Sequence, residues 1–260
     1  MLKIAESAAL KAGKVILQSI DRLDRVQIAE KENHDFVTDV DTKAESVIME
    51  ILQKTYPDHK ILAEESGVSE GNEDNLWVID PLDGTTNFIH GLPHFAISIA
   101  YIEQGKIQLG VIYDPIRDEL FSGIRGKGAT LNNKRIRVSQ TSKLNKALIG
   151  TGFPFRNLEQ FETYLRSFKA LFPSTSGIRR NGSAALDLAY VAAGRLDGFW
   201  ELSLEKWDMA AGILLIKEAG GLICDTQGTE NYLENGNIIA ANPKIFKAML
   251  QILKPSLKRD

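Results

Sequence analysis

The apolar run Leu76-Trp77-Val78-Ile79 breaks off in Asp80-Pro81-Leu82-Asp83-Gly84-Thr85-Thr86-Asn87, and this break restricts what the surrounding chain can build. Pro81 lacks an N–H and biases Asp80 away from helical geometry, so no helix runs through the segment. The run reads as a strand, Leu76–Asp80, with Asp80 and Asp83 on a sharp bend at its end. Gly84 lets the backbone approach a ligand closely, and Thr85 or Thr86 can open a helix whose free N–H groups attract an anion. Carboxylates that gather cations, beside N–H groups that hold an anion, are what a metal-assisted phosphoryl site needs.

Around this segment, helical and strand periodicities alternate without internal repeats or low-complexity tracts. Two helices come first, about Leu2–Ile20 and Asp41–Tyr56, then strands Lys60–Glu64 and Leu76–Asp80. Phe95–Glu103, Lys106–Tyr113 and Glu119–Arg125 follow, separated by turn residues, and read as an antiparallel meander. The second half predicts strands at Ala147–Thr151, Gly177–Arg179, Leu196–Glu201, Gly221–Asp225 and Asn237–Ala241. Between and after them lie helices at Leu158–Leu171, Ser183–Ala193, Trp207–Ala219 and Pro243–Leu253. The expectation is a mixed α/β protein with helices layered on sheets, a single domain over 1–260 with a subdomain boundary near 145.

With 260 residues, 43% hydrophobic and 25% charged, the chain is long enough and apolar enough for a buried core. A net charge of −3 gives no general nucleic-acid footprint, and a single cysteine, Cys224, excludes an internal disulfide. Residues 1–20 carry Lys3, Glu6, Lys11 and Lys14, so they read as an amphipathic helix and not as a signal peptide. No window reaches the length of a membrane span, and the expected location is the cytoplasm.

Four acidic groups stand at the ends of predicted elements: Asp39 and Asp41, Glu64 and Glu65, Asp80 and Asp83, and Asp208. Each also fits ordinary structure. Asp-Pro-x-Asp-Gly is a good turn sequence, Asp208 and Asp41 suit helix N-termini, and Glu64-Glu65 suits a solvated strand end. If Glu64, Asp80, Asp83 and Asp208 converge, cations are needed to offset their repulsion. An all-oxygen set fits Mg²⁺ and not zinc, since only His34, His59, His90, His94 and Cys224 could supply nitrogen or sulfur.

Taken in order, Asp39-Val40-Asp41, Glu64-Glu65-Ser66, Trp77 to Phe88, Arg179 to Asp187 and Trp207-Asp208-Met209-Ala210-Ala211-Gly212 resemble the inositol monophosphatase family, in its bacterial SuhB-type branch. The resemblance spans Ile4 to about Leu253. It implies a layered α-β-α-β-α sandwich of the inositol monophosphatase and fructose-bisphosphatase type, a homodimer, and a lithium-sensitive, Mg²⁺-dependent phosphatase. Glu64, Asp80, Asp83, Asp208 and the Leu82 carbonyl would hold two to three Mg²⁺. Asp41 and Thr85, with Glu64, would form the catalytic set around the attacking water. Leu82, Asp83, Gly84 and Thr85 would meet the phosphate; Gly182, Ser183, Ala184, Glu201 and Asp208 would meet the alcohol. Arg179 or Arg180 would meet the phosphate or brace the dimer.

Glu201 favours a polyol such as inositol 1-phosphate, because a carboxylate accepts from adjacent hydroxyls. Bisphosphate nucleotides, fructose 1,6-bisphosphate and histidinol phosphate are alternatives sharing the same metal apparatus. A second expectation is a transcription or ribosomal-RNA-processing partner, for which the basic stretch Arg125 to Arg137 and the tail Lys254 to Arg259 are the local motive. The same charges also suit a solvated strand edge.

Overall fold

The structure, a computed structural model, describes the chain except residues 21, 24, 25, 33, 34, 156 and 258–260. His34 and the tail residues Lys258 and Arg259 lie outside the described residues.

Helices α1 (Leu2–Ile20) and α2 (Asp39–Thr55) are separated by a hairpin of β1 (Ile28–Glu32) and β2 (Asp35–Thr38). Next come β3 (His59–Ala63), β4 (Gly67–Val68), β5 (Asn72–Asp83) and the short α3 (Thr85–Ile89). The meander follows as β6 (Ala96–Glu103), β7 (Lys106–Asp114), β8 (Glu119–Ile124), β9 (Gly128–Leu131) and β10 (Lys134–Arg135). The remainder is β11 (Leu148–Thr151), α4 (Phe161–Leu171), β12 (Gly177–Arg179), α5 (Ala184–Ala192), β13 (Gly198–Glu201), α6 (Lys206–Glu218), β14 (Leu222–Cys224), α7 (Tyr232–Asn235), β15 (Ile238–Ala241) and α8 (Pro243–Ser256).

Eight strands form one sheet in the order β10-β9-β8-β7-β6-β5-β3-β4, antiparallel except for the β3–β5 pair. Five form a second sheet, β12-β11-β13-β15-β14, with β11 parallel to both its neighbours. Three apolar clusters fix the layer order. The first packs α1 and α2 on one face of the large sheet, through Ala5, Ala9, Ile48 and Trp77. The second puts α5 and α6 between the sheets, joining Val78 and Ile112 to Phe199 and Ala240. The third covers the outer face of the small sheet with α4 and α8, around Trp200, Tyr164 and Met249. The result is the α-β-α-β-α sandwich. Because α6 faces a sheet on each side, Asp208 to Ile216 are all buried, which explains its lack of a polar face.

Two local expectations need correction. The strand through Trp77 does not end at Asp80. Asp80 pairs with Ser98 and Asp83 with Ala96, so the ladder passes Pro81 through a bulge with one extra residue. The missing Pro81 N–H falls inside that bulge, and the Leu82 N–H donates to Asp80 Oδ1 at 2.9 Å instead of to a neighbouring strand. The second helix begins at Asp39, because Thr38 is its N-cap: its hydroxyl accepts from the Val40 and Asp41 N–H groups. The β1–β2 hairpin and the short β4, β9 and β10 carry too little periodicity to be read ahead of the structure. Arg135 and Lys134 are exposed on the edge strand β10, as charged edge protection requires.

Candidate active site

The bulge in β5 aims Asp80 and Asp83 into a pocket at the carboxyl end of that strand, and the small sheet supplies the opposite wall. Glu64, Asp80, Leu82, Asp83, Gly84 and Thr85 line one side; Gly182, Ser183, Ala184, Asp187, Glu201 and Asp208 line the other. Of the residues nominated from sequence, all but two reach this pocket. Asp41 sits behind Thr85, fully buried, and accepts the Thr85 hydroxyl at 2.8 Å. Arg179 is exposed, bonds the adjacent Ile178 carbonyl, and is replaced in the pocket by Arg180. Strand alternation accounts for this, since residues that neighbour each other at the end of β12 point opposite ways.

One carboxylate oxygen each from Asp80, Asp83 and Asp208 lies within 4.8 Å of the others. Glu64 lines the same pocket outside this tight group and adds its charge to Asp80. Each ligand candidate is held from behind. Asp83 Oδ2 accepts the Ser183 hydroxyl at 2.5 Å and the Ala185 N–H at 2.7 Å. Ser183 caps α5 at the same time, accepting from the Leu186 N–H. Asp208, third residue of α6, accepts the Glu205 N–H at 2.8 Å in a capping box. The loop after Glu64 hangs on Glu45, whose buried carboxylate takes the Glu65 and Ser66 N–H groups, both at 2.9 Å.

Burial and mutual repulsion leave Asp80, Asp83 and Glu201 reluctant to ionise. Burial, then Glu64, Asp83 and Asp208, raises Asp80 well above the usual carboxylate range. Burial and the Asp208 charge push Asp83 up to about 7 against the hydrogen bonds it accepts from Ser183, Ala185 and Ala184. Burial raises Glu201 well above its ordinary value, helped by Asp208, Asp187 and Asp83. Among the described residues Arg180 is the one cationic side chain lining the pocket; its guanidinium lies 5.2 Å from the centroids of both Phe153 and Phe155. A crowded, desolvated, all-oxygen donor set with so little countercharge fits a hard divalent cation such as Mg²⁺.

Several pocket residues had no signal strong enough to nominate them. Asp187 lies one helical turn after Ser183, and burial together with the Asp83 charge pushes its carboxyl up to about 8. Its position four residues past a nominated serine was the available clue. Phe36, Phe153 and Phe155 form apolar walls contributed by β2 and by the loop after β11. Ser203, at φ +62°, turns the chain between Glu201 and α6, a left-handed conformation that sequence alone does not mark for a serine.

A sequence profile of the inositol monophosphatase family matches residues 1–257. The chain belongs to the inositol monophosphatase family. Within that family it is 53% identical over 262 residues to the Nus factor SuhB of Pseudomonas aeruginosa, which covers 99% of this chain and 97% of that one. It is 50% identical over 258 residues to the Nus factor SuhB of Escherichia coli strain K12, with 99% and 97% covered. The crystal structure of the extragenic suppressor protein suhB from Bartonella henselae superposes with a TM-score of 0.94 at 46% identity, over 97% of each chain. The inositol monophosphatase from Anabaena (Nostoc) sp. PCC 7120 gives a TM-score of 0.87 at 43% identity, over 98% of this chain and 95% of that one. This inositol monophosphatase family member is thus a phosphatase-superfamily protein of the SuhB-type branch, in a family generally dependent on Mg²⁺. No helix among its described residues is long and apolar enough to cross a membrane.

Proposed function

We propose that the chain is a Mg²⁺-dependent phosphomonoesterase that hydrolyses inositol 1-phosphate, and related polyol and sugar phosphates, to the alcohol and inorganic phosphate. The observation that carries this reading is the meeting of Asp80, Asp83 and Asp208 within 4.8 Å, beside the turn at Gly84 and Thr85. Glu64, these three aspartates and the Leu82 carbonyl would hold two to three Mg²⁺ per subunit. When bound, the ions supply water activation and charge neutralisation at the phosphate and leaving oxygen.

The chain's own groups do the rest. The Gly84 and Thr85 N–H groups hold phosphate oxygens; α3 has only five residues, so these N–H groups matter more than any helix dipole. Thr85 orients the attacking water and Asp41 draws the proton through the Thr85 hydroxyl. Burial raises the proton affinity of Asp41, which suits it to that task. Glu64, at the end of β3, completes the catalytic set. On the alcohol side, Glu201 and the loop Gly182-Ser183-Ala184 bind ring hydroxyls, and Arg180, the one of the arginine pair that lines the pocket, meets the phosphate. The whole chain acts as one catalytic domain, with a subdomain boundary near residue 145, in the passage from β10 to β11.

Phosphate release over a panel of inositol 1-phosphate, fructose 1,6-bisphosphate, a 3′,5′-bisphosphate nucleotide and histidinol phosphate, with and without Mg²⁺, tests the reading. Faster hydrolysis of the bisphosphate nucleotide than of inositol 1-phosphate would reassign the substrate. No Mg²⁺-dependent release from any of them would remove the enzymatic reading. The family's lithium sensitivity is expected in the same assay.

The names of the two SuhB relatives favour a second role as a transcription-machinery partner. Co-purification of transcription proteins with an inactive Asp83→Asn chain would separate that role from catalysis, and its absence would count against the role. We also propose a homodimer, supported by exposed Phe153, Phe155, Leu158, Phe161 and Phe172 in one stretch of chain. Light scattering on the purified protein decides it.

A further inference from the structure

Asn87 connects the two walls of the pocket without lining it. Its residue is 6% exposed, and its Nδ2 donates to the His94 carbonyl at 2.7 Å and the Asn181 carbonyl at 2.9 Å. His94 belongs to the return from α3 to β6, on the phosphate side. Asn181, 94 positions after Asn87, opens the loop that leads into α5, on the alcohol side.

The backbones pack tightly around this amide. A Cβ on Gly84 would meet the His94 oxygen at 3.1 Å and the Gly182 oxygen at 3.2 Å. A Cβ on Gly182 would meet Asn87 Nδ2 at 2.9 Å. Both glycines also hold positive φ, +103° and +89°, which other residues rarely adopt. The linkage continues beyond the seam, since Asn181 Nδ2 donates to Asp187 at 2.6 Å and the Ser183 hydroxyl to Asp83.

We propose that Asn87 is a positioning residue that fixes the spacing between the phosphate-holding turn at Gly84 and the alcohol-holding loop at Gly182, and so favours phosphomonoesters whose alcohol carries hydroxyls reaching that loop. The proposal deepens the phosphatase reading and rests on it. An amide suits the place because it offers two N–H donors from one short side chain. Aspartate offers none and would set a charge against two carbonyls, serine offers one hydroxyl, and glutamine carries its donors one methylene too far for the space beside Gly182.

The test compares inositol 1-phosphate with ethyl phosphate, whose alcohol is too small to reach the Gly182 loop, for the native chain and Asn87→Ser with Mg²⁺. The expected result is a loss in kcat/KM on inositol 1-phosphate about tenfold or more beyond the loss on ethyl phosphate, carried mainly by KM. The Mg²⁺-dependent rise in Tm should stay as in the native chain. Equal losses on both substrates, or none on either, would overturn the positioning role and leave the phosphatase reading intact. A native chain inactive on both would overturn both. Should Asn87→Ser not fold, Asn87→Gln gives the same readout.

Discussion

The Thr85 hydroxyl donates to Asp41 Oδ1 across 44 positions of sequence, while Thr38 occupies the other oxygen of the same carboxylate through both its N–H and its hydroxyl. The helix cap of α2 therefore doubles as the mount for a group behind the pocket. Asp41 has one oxygen for structure and one for Thr85.

Replacing Asp41 by Asn keeps an acceptor for Thr38 but removes the group proposed to draw a proton through Thr85. Turnover of inositol 1-phosphate should fall about a hundredfold or more, with a stability loss of about 1 kcal/mol from the weakened cap. The Mg²⁺-dependent rise in Tm should be unchanged, because Asp41 lines no part of the metal pocket. Steady-state kinetics beside thermal melts with Mg²⁺ and with EDTA check both halves.

Asp208→Asn should move activity and stability in opposite directions. Phosphate release should drop by about a hundredfold or more through loss of a cation ligand. In EDTA the variant should melt higher than the native chain, because one of three crowded carboxylates no longer repels the others. A lower melting point in EDTA would contradict the repulsion argument.

The raised carboxyls also set a pH dependence. Asp83 and Asp187 titrate at about 7 and about 8 in the folded chain, against an ordinary value of 3.8 in the unfolded one. Their contribution favours the fold fully below that ordinary value, since both states then hold the protons. It is lost as pH rises through about 7 and 8, where the unfolded chain has long since released them. Without Mg²⁺ the melting point should decline from pH 5 to pH 8. The increment added by Mg²⁺ should grow over the same interval, because the ion displaces fewer protons at the higher pH. Differential scanning fluorimetry at the two pH values, with Mg²⁺ and with EDTA, measures this directly.

Gly152 packs against Glu201, and an added methyl would overlap the Glu201 carboxylate. Gly152→Ala should swing that carboxylate away and raise KM for inositol 1-phosphate roughly tenfold while sparing ethyl phosphate. An equal effect on both would place Glu201 outside alcohol recognition.

The strands and helices that carry long, clean periodicity were legible: α1, the β6–β7–β8 meander and α8 lie within a residue or a few of their expected bounds. So were the acidic groups, because a strand ending in Asp-Pro-x-Asp-Gly exposes its chemistry in the sequence itself. What could not be read were relationships created by tertiary packing. Asn87 and Asp187 stood only as the ends of motif segments, and Glu45 carried no signal at all. Each acquires its role from a partner far away in sequence. Arg179 and Arg180 were indistinguishable for the same reason, since only the direction of β12 decides which of them enters the pocket.

The pocket draws Asp80 and Asp83 from the large sheet and Asp208 from the helix that follows the small sheet's β13. Cation binding is therefore a proof of assembly. A chain whose second half has not yet docked brings together only two of the three carboxylates. Mg²⁺ uptake during refolding should arrive with the last tertiary step, and a calorimetric signal for the ion would time the moment the two halves meet.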